Sequence, residues 1–295
     1  AQALQYLHLN DDFYAAIDQG LASLTDNSHA RLRLTLGTLD GVRLGREGRF
    51  EDARDRLRGV IKEAKAAGMS SVATLAAAEL GFVHTLAGDH DAAMAVLQAA
   101  HADAVALKDR FLVAAVNEVL GAVYTYLDAF DTAVRHYRIA LSDYERLDYQ
   151  IYIAEAVYGI GITHRYARQW DEAIDALRRY RRLTEGRSSP HGAFYAAYGL
   201  GTTYADMGDC TAALPVIAEA LALTGPSDYD AELHKRAAVC HAELGDGEQA
   251  RAALERARDI IGGIPELRGT RWEIDLYGRE GEMWQALGDF EAATR

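Results

Sequence analysis

The stretch Leu120–Ala140, LGAVYTYLDAFDTAVRHYRIA, decides the fold once it is laid over the same window displaced by multiples of 40 residues. Glycine recurs at Gly41, Gly81, Gly121, Gly161 and Gly201, and all but the first follow a large aliphatic residue: Leu80, Leu120, Ile160 and Leu200. Three residues on stand Leu44, His84, Tyr124, His164 and Tyr204; nine on, Phe50, His90, Phe130, Trp170 and Cys210; twelve on, Ala53, Ala93, Ala133, Ala173 and Ala213. Self-similarity at a fixed period marks a stack of like units, each touching its neighbours, and not one globular core. Two more copies follow after slips of three residues. In one, Ala238 precedes His241, Leu244-Gly245-Asp246 and Ala250; in the other, Gly281 precedes Trp284, Leu287-Gly288-Asp289-Phe290 and Ala293. Asn10–Phe13 with Ala16 supplies the second half of one further copy.

Within a unit, apolar residues at three- and four-residue spacing (Ala133, Val134, Tyr137, Ala140, Leu141) predict amphipathic helices. Two antiparallel helices per unit follow, the glycine allowing close approach and the alanine twelve residues later acting as its counterpart. The intervening segments GREGRF, AGDHD, LDAFD, ARQWD, MGDCT, LGDGE and LGDFE carry turn chemistry. A left-handed glycine ends the first helix, and Asp or Thr caps the second. Residues 1–295 then form one array: a partial repeat at 1–25, repeats at about 31–69, 71–108, 111–148, 150–187, 191–225 and 229–263, and a truncated repeat at 270–295. Pro215 falls inside a second helix, which should therefore start late, near Thr211, or kink, because proline costs about 3 kcal/mol in a helix interior. Both ends cut through a repeat, so the chain is expected to be an excerpt of a longer polypeptide or to have its ends covered by a partner, including a second copy in a homodimer.

The pattern aliphatic-Gly, two residues, Tyr, then Leu-Gly-Asp-Phe, two residues, Ala resembles the tetratricopeptide repeat (TPR), most clearly at Leu120–Ala140 and Leu200–Ala220. The resemblance spans essentially the whole chain. It implies an all-α, right-handed superhelical solenoid of antiparallel helix pairs, a non-catalytic scaffold, and a protein or peptide partner or a small-molecule signal. The period departs from the usual value of about 34, so helices or linkers must be longer. In repeat length and composition the chain also resembles the amino-terminal TPR regions of bacterial GGDEF diguanylate cyclases and the regulatory arrays of LuxR-type activators. That likeness implies a sensory module, cytoplasmic or periplasmic, whose output domain lies outside these residues; a stand-alone adaptor or peptide receptor is the alternative.

Composition narrows the partners. With 31 Lys+Arg against 44 Asp+Glu the net charge is −13, and the basic residues form no stripe for phosphates. The most apolar stretch, Leu112–Leu127, is broken by Asn117 and Glu118, so no transmembrane segment is expected. Cys210 and Cys240 lack zinc spacing and read as single buried thiols. No catalytic signature, phosphate loop, metal set or cofactor motif occurs. His84, His164 and His241 occupy the bulky packing position of the repeat, and the acidic-histidine pairs at Asp89-His90-Asp91 and His101–Asp103 read as surface.

In stacked helix pairs the first helices line the concave side. The positions opposite the packing glycine are Thr38, then Leu75 and Ala78, and then a chemically richer set. That set is Glu118 and Thr125; Glu155, Tyr158 and Arg165; Tyr195, Tyr198 and Thr202; and Glu232 and Lys235. Tyr and Arg offer area and directional polar contacts at low entropic cost. These ten residues are the expected binding groove, with packing of long inward side chains as the competing explanation. The family's carboxylate clamp of Lys and Asn on adjacent first helices is not reproduced, since Lys235 is the sole inward lysine and Asn117 lies three repeats away.

Overall fold

The computed structural model describes residues 17–22, 29–185, 190–223, 228–263, 271–289 and 292. The helix fragment read at Asn10–Ala16, the linkers at Ser188-Ser189 and Gly225–Ser227, and Phe290 and Ala293 lie outside them. Among the described residues there is no strand. A short helical stretch over 17–22 precedes thirteen helices: α1 (Ala30–Arg46), α2 (Phe50–Ala66), α3 (Ser70–Leu86), α4 (His90–Ala106), α5 (Arg110–Tyr126), α6 (Phe130–Arg146), α7 (Gln150–Tyr166), α8 (Trp170–Thr184), α9 (Pro190–Asp206), α10 (Cys210–Leu221), α11 (Asp228–Glu243), α12 (Gly247–Gly263) and α13 (Arg271–Ala286). The chain forms two compact units, Ala1–Ala167 with α1–α7 and Arg168–Arg295 with α8–α13.

The period now has a mechanical explanation. From α1 to α7 every helix is 17 residues long and about 25 Å in length. Each is separated from the next by three residues, so two helices and two turns make the repeat. The linkers therefore do not grow; the helices do. Each turn is closed by a residue of positive φ at Gly48, Gly68, Gly88, Lys108, Asp128, Asp148, Arg168 and Gly208. One residue later, a backbone N–H reaches five residues back, as from Arg49 to the Leu44 carbonyl (2.9 Å), Asp89 to His84 (2.9 Å) and Tyr149 to Tyr144 (3.1 Å), the bond that consumes an orphan carbonyl at a helix end. Glycine is thus not obligatory in the turn: Lys, Asp and Arg adopt the same conformation. The aspartate caps appear where expected at Asp89, Asp209 and Asp246, whose side chains accept from Ala92, Ala212 and Gln249. Asp109 does the same at the start of a first helix, α5.

Packing revises the partner of each repeat glycine. The space above Gly41 is filled by Leu57, above Gly81 by Leu97, above Gly121 by Tyr137 and above Gly201 by Ile217. The contact residue is sixteen positions on, not the alanine twelve on. Those alanines are nonetheless fully buried at Ala53, Ala93, Ala133, Ala173 and Ala213, because second helices also need a small residue at their crossing. Within each unit, first helices touch both their own partner and the first helix of the next repeat, as α1 with α3, α3 with α5, α5 with α7, α9 with α11, and α11 with α13.

Two expectations fail. Cys210 and Cys240 are buried but joined in a disulfide, with Cα atoms 4.9 Å apart, a separation that permits the bond. Cys210 opens α10 and Cys240 lies near the end of α11, and antiparallel packing brings those two ends together although the residues hold different places in the repeat. The second is the late start of α10, which begins at Cys210 in register with the other second helices and runs through Pro215. Pro215 has no amide hydrogen to donate into the helix, and Asp209 caps the first turn.

Candidate functional site

The first unit holds Glu118 and Thr125 on α5 and Glu155, Tyr158 and Arg165 on α7. The second holds Tyr195, Tyr198 and Thr202 on α9 and Glu232 and Lys235 on α11. The ten residues expected to line a groove are therefore carried by two units, five on each. All are buried or half-buried, and their neighbours hold them. The Thr125 and Thr163 hydroxyls lie 2.7 Å apart, and each is within hydrogen-bond reach of the glycine carbonyl four residues back, on Gly121 and Gly159, so one donates to its neighbour and the other to its carbonyl. Arg165, 5% exposed, lays its guanidinium beside the Tyr166 ring at 5.3 Å.

In the first unit, carboxylates set the electrostatics. Glu79 on α3, Glu118 on α5 and Glu155 on α7 are 2%, 3% and 7% exposed. Burial pushes the Glu79 carboxyl up to about 8, with Arg46 opposing and Glu118 adding to the rise. Burial pushes Glu118 to about 7 against the stabilising hydrogen bond from Tyr144, whose hydroxyl donates to Glu118 Oε2 at 2.7 Å. Glu155 rises to about 8, from burial first and the charge of Glu118 second. The Tyr144 phenol is raised well above its ordinary value by burial and by Glu118. Around this acidic row stand Tyr144 and Tyr152, stacked at 5.1 Å, and Phe111, edge-on to Tyr152 at 5.0 Å and to Tyr149 at 5.7 Å.

The second unit pairs an aromatic cluster with an ion network. Tyr229 on α11 meets Tyr198 edge-on at 4.7 Å and also touches Phe194 and Tyr195. Lys235 is wholly buried between Glu232, at 2.8 Å, and Asp275 on α13. Arg236 bridges Glu232 at 2.9 Å and Asp206 at 3.2 Å. Burial of such charges is tolerable only because they are paired.

Several of these residues escape a reading of the sequence by repeat. Glu79 was legible as the lone charge in the apolar run ATLAAAELGFVH, two residues before the repeat glycine. Tyr152 and Tyr229 lie one helical turn before Glu155 and Glu232 and could have been found by that spacing. Tyr144 sits on a second helix and carries no such signal. Among the described residues no three His, Cys, Asp or Glu side chains converge to hold a metal, and no helix is long and apolar enough to cross a membrane.

Every polar or charged side chain that is buried among the described residues lies on a first helix: Asp40 on α1, Glu79 and His84 on α3, Asn117 and Glu118 on α5, Glu155, His164 and Arg165 on α7, and their counterparts on α9 and α11. Second helices bury Ala, Leu, Ile, Val and Tyr, with Cys210 besides. Tetratricopeptide-repeat family models match residues 155–183 and 198–263. Over these residues the chain carries tetratricopeptide repeats. Solved TPR-like structures share its fold. A Rap protein complexed with competence and sporulation factor matches with a TM-score of 0.68 at 13% identity, covering 99% of this chain and 79% of that one. NprR in complex with its cognate peptide NprX matches at 0.63 and 14% identity, covering 98% and 84%. BtubC (BKLC) from P. vanneervenii matches at 0.59 and 16% identity, covering 87% and 94%. No curated protein sequence matches. The TPR fold is commonly a non-catalytic scaffold, and its helix pairs explain why first helices, which meet one another along the stack, carry the unusual chemistry.

Proposed function

We propose that this TPR array is a peptide-binding scaffold, the sensory or regulatory module of a signalling protein, and that the first-helix residues Glu118, Thr125, Glu155, Tyr158 and Arg165, with Tyr195, Tyr198, Thr202, Glu232 and Lys235 on the second unit, take part in recognition. The observation that carries the reading is the confinement of buried polar groups to first helices. A stack that had only to fold gains nothing from it, because a buried ion pair is often no better than apolar residues of the same volume. Two fold neighbours were solved with partners bound, NprR with its cognate peptide NprX and a Rap protein with competence and sporulation factor, which supports the same use of the fold here.

The test is selection of short synthetic peptides of random sequence on the intact chain, followed by affinity measurement with Tyr158→Ala, Arg165→Ala and Tyr198→Ala, helical content being monitored alongside. Loss of affinity with intact helicity supports the reading. Unchanged affinity removes these positions from the interface, and loss of helicity assigns them to packing instead.

A further inference from the structure

We infer that Glu155, together with Glu118, receives a cationic group of the bound peptide, a Lys or Arg side chain or the terminal ammonium, at a site built by α5, α6 and α7. The inference rests on the peptide-binding reading above and names the chemistry of the ligand. Glu155 is 7% exposed and makes no hydrogen bond or ion pair with a described residue. Tyr144, hydrogen-bonded to Glu118, stacks at 5.1 Å on Tyr152, which lies one helical turn before Glu155 on α7, and the charge of Glu118 raises the Glu155 carboxyl. Tyr144 satisfies one oxygen of Glu118 at 2.7 Å, while nothing equivalent serves Glu155. Two neighbouring buried carboxyls, neither ion-paired with a described residue, are costly to ionise, and fold stability gives no reason to keep them.

The surroundings suit a cation more than any other guest. Phe111, Tyr149 and Tyr152 stand edge-on or tilted to one another with centroids 5.0 to 6.1 Å apart. Exposure grades outwards from fully buried Tyr144 to Tyr149, which is 46% exposed, so the aromatic cluster runs from the acids to the surface. Aromatic faces attract ammonium and guanidinium groups, more strongly once water is excluded. The net charge of −13 adds long-range attraction of the same sign.

The experiment uses the intact chain and the peptides selected on it, each resynthesised with every Arg replaced by citrulline and every Lys by norleucine, with the amino terminus acetylated. Wild type should prefer the cationic form by about tenfold or more, the worth of a hydrogen bond to a charged group. Glu155→Gln and Glu118→Gln, which keep shape, should bring that ratio towards one. Selected peptides with no cationic preference, or a ratio unchanged in both variants, would overturn the inference and leave the broader reading standing. Failure of any peptide to bind would overturn both. Tyr158→Ala should weaken cationic and neutral forms alike, which separates loss of the charge site from general damage to the surface.

Discussion

Replacing Gly121 by alanine puts a methyl group where the Tyr137 ring already is. The ring, 3% exposed, is held between Gly121 on α5 and Gly159 on α7. A Cβ at residue 121 would lie 2.7 Å from Tyr137 Cδ2 and 2.8 Å from Cγ, and one at residue 159 would lie 2.5 Å from Cζ and 2.9 Å from Cδ1. Ordinary contacts begin near 3.4 Å, so the ring would have to retreat by most of an ångström. Retreat from one glycine drives it into the other. Overpacking of this kind costs about 1–3 kcal/mol, while alanine in a helix interior recovers up to about 1 kcal/mol of propensity. Gly121→Ala and Gly159→Ala should each be destabilising on balance, and the double variant should cost more than the sum because the ring has no remaining direction of escape.

Gly59 in α2 provides the control, since a Cβ there meets nothing within 4 Å. Gly59→Ala should stabilise by about 0.5–1 kcal/mol, so the steric part of the Gly121 effect is the difference, about 2 kcal/mol. Urea unfolding followed by far-ultraviolet circular dichroism measures it. Tyr137→Ala completes a thermodynamic cycle: costly alone, at about 3–5 kcal/mol, it should cost at least 1 kcal/mol less in the Gly121→Ala/Gly159→Ala background. If Gly121→Ala proves as stable as Gly59→Ala, or the cycle is additive, the ring does not set the spacing of these helices.

Stability should fall as pH rises through the neutral range. Glu79, Glu118 and Glu155 have folded values of about 8, 7 and 8 against an ordinary 4.5, so the folded chain holds more protons than the unfolded one across that window. Their contribution is complete below about 4.5 and lost by about pH 8, a total on the order of ten kcal/mol. Glu118→Gln with Glu155→Gln should flatten the urea midpoint against pH. His84 and His136, lowered chiefly by burial, act oppositely and remove stability on the acid side. Reduction of Cys210–Cys240, which spans 30 residues, should cost about 3–4 kcal/mol; two titratable thiols in the unreduced native protein would contradict the bond. Lys108, at φ 53°, pays for a left-handed conformation, and Lys108→Gly should raise stability by about 0.5–1 kcal/mol. Lys235→Met removes the cation between Glu232 and Asp275, leaving Glu232 with Arg236, and should cost about 3 kcal/mol; adding Glu232→Gln unpairs Arg236 and should lower stability further.

Periodicity made the fold legible because what recurs in every copy is what every copy needs: the glycine under a large side chain, the small residue on the second helix, the cap at the turn. The same averaging concealed the site. Cys210 holds a recurring place and Cys240 does not, so no comparison of copies could have paired them. Tyr144 lies on a second helix, the set discounted for binding, yet its hydroxyl reaches a first-helix carboxyl. The inward positions were identifiable by geometry relative to the glycine, but their depth was not, because burial of Glu118 or Lys235 depends on which side chains the neighbouring repeats happen to supply.

That dependence suggests how a repeat array acquires a ligand without altering its fold. Second helices pack chiefly against helices adjacent in sequence, and a charge there pairs at the surface, as Arg181 on α8 does with Glu219 on α10. A first helix also meets the first helix of the next repeat, and partners for a buried charge can come from its own helix and from that neighbour, as Glu232 on α11 and Asp275 on α13 do for Lys235. Substitutions towards polar residues are therefore tolerated on first helices one pair at a time, each new charge being compensated across one repeat boundary. Glu155 is where compensation stops within the described chain: Glu118 repels it and Tyr144 is already committed to Glu118. An uncompensated group at the end of a compensated series is the place where binding a cation relieves the largest existing cost, and so it is where affinity and selectivity should concentrate.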